Sequence, residues 1–329
     1  MKSLRIAIIT DNLTAASLAF EARTYALSPW NYRFKLRYWR PDFLFVESAW
    51  LGHRNAWRYR IASYPDNPDR NNRMLVGLLQ YARGLGIPTV FWNKEDGAHF
   101  DRFIDSARYF DHIFTVDENT IPKYRAHLGN EASVHSLLFP VQPRFHHFTG
   151  FDAKIKQACF VGSYSSHIHE VRRARQHMLF QAASDSIGLT VFDRNSNRKS
   201  KNYRYPDYPN LIVENAISYP NTAKIYRSYL ASLNVNTIED SPTMYSRRLI
   251  EIIACGGLAV TTPAKSIDRY FKNYCHVVHS EEEARDLLLR LKHGLTADDL
   301  EMARAGATYV QQNHTWAHRL EQIRGVLKI

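Results

Sequence analysis

Cysteine is scarce. The 329-residue sequence has Cys159, Cys255 and Cys275, far apart in apolar runs and without a CxxC pair. That argues against a disulfide framework or a zinc site and for a reducing, cytoplasmic setting. Long apolar runs are missing too, and nothing approaches the roughly 18 residues of a membrane span. The opening "MKSLRIAIIT" holds only a short apolar run before Asp11, less than a secretory signal needs. Any membrane contact is therefore expected to be peripheral. There is no P-loop, HExxH, GxSxG or zinc-finger spacing, no DxD, no internal repeat and no low-complexity tract. Acidic residues are the scarcer charge: 32 Asp and Glu against 43 Lys and Arg, a net charge of +11 and a pI near 9.5. The excess favours anionic partners: phosphorylated small molecules, nucleic acid or an acidic membrane surface.

The length fits two domains of about 150 residues each. Short β-rich apolar runs recur: "LRIAIIT" (4–10), "FLFVES" (43–48), "PTVFWN" (88–93), "HIFTVD" (112–117) and "SVHSLLF" (133–139). A second series follows: "QACFVGS" (157–163), "LTVFDR" (189–194), "LIVENA" (211–216), "SLNVNT" (232–237), "LAVTT" (258–262) and "CHVVHS" (275–280). Near-continuous apolar runs mark strands covered on both faces, as in parallel sheets. Helical patterns at 72–86 and 282–294 lie between such runs. The alternation predicts two doubly wound α/β domains joined within 139–154, a stretch with two prolines and little periodicity. We place the domains at 1–148 and 149–312.

In such sheets ligands bind beyond the carboxyl ends of the strands. Gly162, Ser163 and Tyr164 follow one strand, and a helix expected from Ser166 or His167 would offer its N–H groups to a phosphate; a plain strand-to-helix turn is the alternative. In "SPTMYSRRLIEIIACGG" (241–257), Ser241 reads as an N-cap, with Pro242 at the first helical position. Tyr245, Leu249, Ile252 and Ile253 form the apolar stripe. Arg247, Arg248 and Glu251 lie off it. They either pair on a solvated face or grip a diphosphate, with the carboxylate taking ribose hydroxyls. Asp193 and Asn195 open a basic, aromatic loop (193–209). In the first half, Asp11, Asn12, Glu47, Trp92, Asn93, Lys94, Glu95, Asp96 and His99 sit at strand ends. Trp92 reads as core or floor.

Together "FWNKEDGAHFDRF", "FDHIFTVDENTIPKY", "FVGSY", "VFDRN", "NVNTIEDSPTMYSRRLIEIIACGGLAVTTP" and "HTWAHRL" resemble the CgeB-like, spore-maturation-type glycosyltransferases of the GT-B fold. The likeness runs from about 88 to 320. It implies two Rossmann-like domains facing across a cleft, with the last helix (313–329) packing back on the first. The donor, a nucleoside-diphosphate sugar such as a UDP-sugar, would sit on the second domain and the acceptor on the first. Glu251 resembles the ribose-contacting glutamate of the wider retaining group, whose first glutamate would fall at Thr243. Backbone around Pro242 to Tyr245 could replace it, Met244 and Ser246 count among the expected donor contacts, and Ser218 lies near the expected base site. Arg248, with Glu95, Asp96 and His99 as base candidates, completes the expected catalytic set. No metal or cofactor is expected. The acceptor would be a glycan, a lipid-linked glycan or lipopolysaccharide, or a modified DNA base. Rival readings are a non-catalytic nucleotide- or nucleic-acid-binding protein and a sugar-nucleotide epimerase. Oligomeric state is open.

Overall fold

The computed structural model describes residues 4–329; the first three residues of "MKSLRIAIIT" lie outside them. By its internal contacts the chain divides into residues 1–139 with 316–329, and residues 140–315.

The first unit holds strands β1 (Arg5–Ile9), β2 (Arg23–Ala26), β3 (Phe43–Glu47), β4 (Thr89–Asn93), β5 (His112–Thr115) and β6 (Val134–Ser136). Among the described residues they form one parallel sheet in the order β2-β1-β3-β4-β5-β6. Helices α1 (Asn12–Leu18), α2 (Tyr32–Trp39), α3 (Arg73–Gly84), α4 (Phe100–Ala107) and α5 (Ile121–Leu128) alternate with them. Every residue of β3 and β4 is buried, as their unbroken apolar runs require. β2 has no such run: its positions are only half covered or exposed, and edge placement leaves it no apolar signature.

The second unit holds β7 (Ile155–Gly162), β8 (Leu189–Asp193), β9 (Leu211–Asn215), β10 (Tyr229–Asn234), β11 (Ala259–Thr261) and β12 (His276–Val277), also parallel, in the order β12-β11-β10-β7-β8-β9. Its helices are α6 (Glu170–Ser186), α7 (Thr222–Ser228), α8 (Arg247–Ala254), α9 (Lys265–Tyr270), α10 (Glu281–His293) and α11 (Ala297–Asn313). α10 begins where the Ser280 hydroxyl accepts the Glu283 N–H at 3.1 Å; its charge runs from acidic to basic along the helix dipole.

A final helix, α12 (Trp316–Leu327), belongs to the first unit. Trp316 is buried with its ring edge-on to Trp92 at 5.5 Å and to Phe45 at 6.4 Å. Arg319 and Gln322 donate to the carbonyls of Leu138 and Ser136 at 2.9 and 2.7 Å.

Two helix starts differ from expectation. α6 begins at Glu170, because His169 takes a left-handed backbone (φ 55°) that breaks the helix. α8 begins at Arg247 with Ser246 as its N-cap. The Ser241 hydroxyl is spent earlier, accepting the N–H groups of Thr243 (3.3 Å) and Met244 (2.9 Å) in a local turn.

Candidate active site

In the second unit the strand order reverses between β7 and β10, and this is the switch point where open α/β sheets bind ligands. The later start of α8 puts Arg247 and Arg248 in its first turn, directly over that point. Cations there oppose the helix dipole, so something else must compensate them. Arg247 pairs with Glu251 at 3.1 Å, one turn on. Glu251 is buried, and its other oxygen lies 3.5 Å from the Tyr226 hydroxyl. The Arg247–Glu251 pair therefore exists, but in a largely covered position rather than on a solvated face.

Arg248 turns the other way. Its Nε donates to the Val161 carbonyl at 2.5 Å, its Nη1 lies 3.4 Å from Asn234 Oδ1, and its guanidinium covers the Phe160 ring at 4.2 Å. It thus bridges the ends of β7 and β10. Gly162 makes this approach possible. A Cβ there would meet Arg248 Nη2 and Phe160 Cε1, each at 2.6 Å. The glycine therefore admits a protein side chain, where the expected role was close approach to a phosphate.

Two further arginines converge on the same strand end. Arg172, from the first turn of α6, donates to the Ser163 carbonyl at 3.1 Å, and Arg194 reaches the Ser163 hydroxyl at 3.5 Å. Burial, together with the charges of Arg248 and Arg194, pulls the Arg172 guanidinium down to about 10. Burial likewise lowers Arg248. Among the described residues neither Arg172 nor Arg248 has a carboxylate ion-pair partner. Asp193 lies nearby, but its Oδ1 takes the Asn195 N–H at 2.8 Å and its other oxygen is 4.0 Å from Arg204. The Tyr205 hydroxyl is buried without a hydrogen-bond partner in the same corner. A pocket of about 300 Å³ opens beside it, lined by Asp193, Ser196, Arg204, Tyr205 and Glu214. Sequence reasoning missed Arg172 and held Tyr205 only as part of the basic, aromatic loop 193–209. For Arg172 the available signal was the basic run "VRRAR" after the glycine turn.

Other predicted donor residues fall elsewhere. Tyr164 is buried and bonds His177 Nε2 at 3.1 Å. Tyr245 is also core: its ring meets Phe271 at 4.8 Å and its hydroxyl meets His314 at 3.3 Å. Both rings are consumed by packing, as the place of Tyr245 in the apolar stripe requires. Thr243 is buried, and the Met244 carbonyl accepts from Ser266 at 2.8 Å. The Ser246 N–H donates to Asn236 at 3.1 Å. Ser218 precedes a short turn at Tyr219–Asn221, and Asn195 is buried beside Asp193.

In the first unit the switch point lies between β1 and β3. Lys94 Nζ sits 3.0 Å from both Asp11 Oδ2 and Glu47 Oε1. Glu47 is fully buried and also accepts from the Asp11 N–H (2.5 Å) and the Thr14 hydroxyl (2.6 Å). Asn12 is exposed as the first residue of α1. A second cluster surrounds Asp96, which is fully buried and takes bonds from Asn93 (2.6 Å) and Tyr124 (2.9 Å). Burial pushes its carboxyl up to about 7. Glu95 is half-buried, its N–H held by the Asn93 side chain at 3.2 Å. His99 is half-buried at the start of α4, edge-on to Trp50 at 5.5 Å. Trp92 is core, its indole N–H donating to the Leu137 carbonyl at 3.1 Å. Asp96 and Trp92 thus face the unit's interior rather than its surface.

All three cysteines are buried, free thiols pushed up to about 12 by burial. Burial thus disfavours the nucleophilic thiolate at these positions. Among the described residues no cluster of three or more His, Cys, Asp or Glu could hold a metal ion, and no helix is long and apolar enough to cross a membrane.

Two parallel Rossmann-like units, the second with cations gathered at its switch point, define the class: this is the GT-B architecture of glycosyltransferases. Residues 172–325, from α6 into α12, match a family model described as "Glycosyl transferase-like". Solved structures agree on the fold. T4 phage BGT in complex with UDP-glucose superposes with a TM-score of 0.61 at 12% identity, over 99% of this chain and 100% of that one. α,α-Trehalose-6-phosphate synthase from Burkholderia multivorans gives 0.56 at 9%, over 100% and 99%. TarM gives 0.53 at 8%, over 91% of this chain, which spans 58% of TarM. No curated protein matches the chain in sequence.

Proposed function

We propose that the protein transfers a sugar from a UDP-sugar to an acceptor hydroxyl. One observation carries this reading: Arg172 and Arg248 both reach the end of β7, and among the described residues neither has a carboxylate within ion-pair distance. A departing diphosphate supplies the missing charge, and fixed guanidiniums stabilise it as it develops. Glu251 takes the donor ribose, and backbone around Pro242–Tyr245 replaces the glutamate that Thr243 lacks. Within the class we infer a CgeB-like enzyme, on the segments quoted above.

The first unit takes the acceptor. Deprotonation of the acceptor hydroxyl falls to Glu95 or His99, which keep exposed surface. Asp96 is held inside with Tyr124 and tunes the loop rather than touching substrate. We propose retention of configuration, which rests on the family likeness alone, and catalysis without a metal, since guanidiniums already provide the positive charge. One similar structure is described as T4 phage BGT with UDP and Mn2+, so activity in EDTA is the direct check. BGT is described as a DNA-modifying enzyme, and TarM was solved with α-GlcNAc-glycerol. Both acceptor classes, modified DNA base and glycan, stay in the proposal. Buried free thiols support a cytoplasmic setting.

The test is titration of UDP-glucose against wild type, Arg172→Ala, Arg248→Ala and Glu251→Ala, with slow donor hydrolysis as a second readout. Each variant should bind UDP at least tenfold more weakly, about 1.4 kcal/mol. Unchanged affinity in all three removes the donor from this place. Binding without hydrolysis or transfer would favour a non-catalytic protein.

A further inference from the structure

We propose that the solvent face of α2 is a docking surface for an anionic lipid membrane. Along α2 the outward positions are Arg33, Phe34, Arg37 and Tyr38, and Trp30 lies in the turn just before the helix. The inward face buries Tyr32 and Leu36. An ordinary surface helix is polar on its outer side. This one exposes Phe34 by 61% and Tyr38 by 67%, and Trp30, in the turn before it, is exposed by 83%. The Phe34 and Tyr38 rings touch at 4.7 Å, so these two form one aromatic ridge.

Cations flank the ridge. Arg33, Lys35, Arg37 and Arg40 occur in a stretch, 27–41, with no Asp or Glu. Asp42, next along, is taken by the Arg5 N–H at 2.7 Å. Among the described residues none of the four cations has a carboxylate partner. Lys35 instead lies over the Tyr25 ring at 4.2 Å. A partner must therefore offer both negative charge and an apolar layer to receive three rings.

A phospholipid surface offers both. Trp and Tyr settle at the headgroup level, and arginine stems lie along apolar surface while their heads reach phosphates. Nucleic acid fits less well. Bases stack in grooves and on flat platforms, whereas these rings project from the convex side of a helix. Two helical turns bury little apolar area, so binding should be reversible and salt-sensitive.

The test is co-sedimentation of the whole protein with phosphatidylglycerol–phosphatidylcholine vesicles, against vesicles of phosphatidylcholine alone. The wild type should pellet with the mixed vesicles only, and less in high salt. The pair Arg33→Gln and Arg37→Gln should weaken binding by about fivefold per arginine. The triple variant Trp30→Ser, Phe34→Ser, Tyr38→Ser should abolish it while keeping the wild-type melting temperature, since the side chains are exposed. Brominated lipid should quench tryptophan emission in wild type but not in Trp30→Ser. The proposal is overturned if wild type does not pellet, if both variants pellet like wild type, or if the variants lose DNA binding while vesicle binding is unchanged. The last result would give this face to nucleic acid. None of these readouts depends on transfer activity.

Discussion

Gly162→Ala tests the coupling of fold and site at one atom. The new Cβ would sit 2.6 Å from Arg248 Nη2 and 2.6 Å from Phe160 Cε1, where ordinary contact begins at 3.4 Å. About 0.8 Å must be recovered on each side, by subtraction of those distances. Phe160 cannot yield easily, because it is fully buried with its ring against Phe180 at 4.9 Å. The guanidinium is the movable partner, but moving it stretches the 2.5 Å bond to the Val161 carbonyl. Overpacking of this kind costs about 1–3 kcal/mol, which lowers the melting temperature by about 2–4 °C per kcal/mol in a unit of this size. UDP affinity should fall as well, because Arg248 leaves the position from which it would meet the diphosphate. Differential scanning calorimetry and isothermal titration measure the two effects separately. In the Arg248→Ala background half of the clash is gone, so Gly162→Ala should cost less there, with a coupling of about 0.5–3 kcal/mol. A Gly162→Ala protein with unchanged melting temperature and UDP affinity would refute the reasoning, as would strict additivity of the two substitutions.

Other outcomes follow from the same geometry. Asp96 has an ordinary value of 3.8 and is pushed to about 7 by burial. Between these values the folded chain keeps a proton that the unfolded chain has lost, so its contribution is full at acid pH and is lost as pH rises from about 4 to about 7. Urea unfolding across that window should show falling stability, and Asp96→Asn should flatten the slope. Trp316→Ala removes a buried ring from against Trp92 and Phe45 and should cost about 3–5 kcal/mol; a loss under 1 kcal/mol would mean that α12 contributes little to the first unit's core. Lys94→Met leaves the buried Glu47 without its cation and should cost about 3–5 kcal/mol in chemical unfolding, with Glu47→Gln in the same chain recovering part of the loss.

Much of the architecture is local information. The runs at 43–48 and 88–93 became β3 and β4, buried along their whole length, because a strand covered on both faces must be apolar at every position. β2 escaped notice because an edge strand bears no such burden. The helix starts at Ser166 and Ser241 were misplaced for a different reason. Serine caps turns as readily as helices, and which of them forms depends on what the next residues pack against. At Ser241 the loop as far as Ser246 is held by Asn236 and Ser266, partners in other segments of the chain.

The candidate site divides along the same line. The residue types at strand ends, the glycine that ends β7 and the arginine pair beside an apolar stripe could all be read in order along the chain. Their grouping could not. Arg172, Gly162 and Arg248 are brought together by strand order and by one notch too small for a methyl group. Tyr164 and Tyr245 are drawn away by aromatic neighbours in other segments. Apolar periodicity reports what a residue needs from its surroundings, and that is enough to assign strand and helix. Which charges end up side by side depends on long-range packing, and only the folded chain decides it.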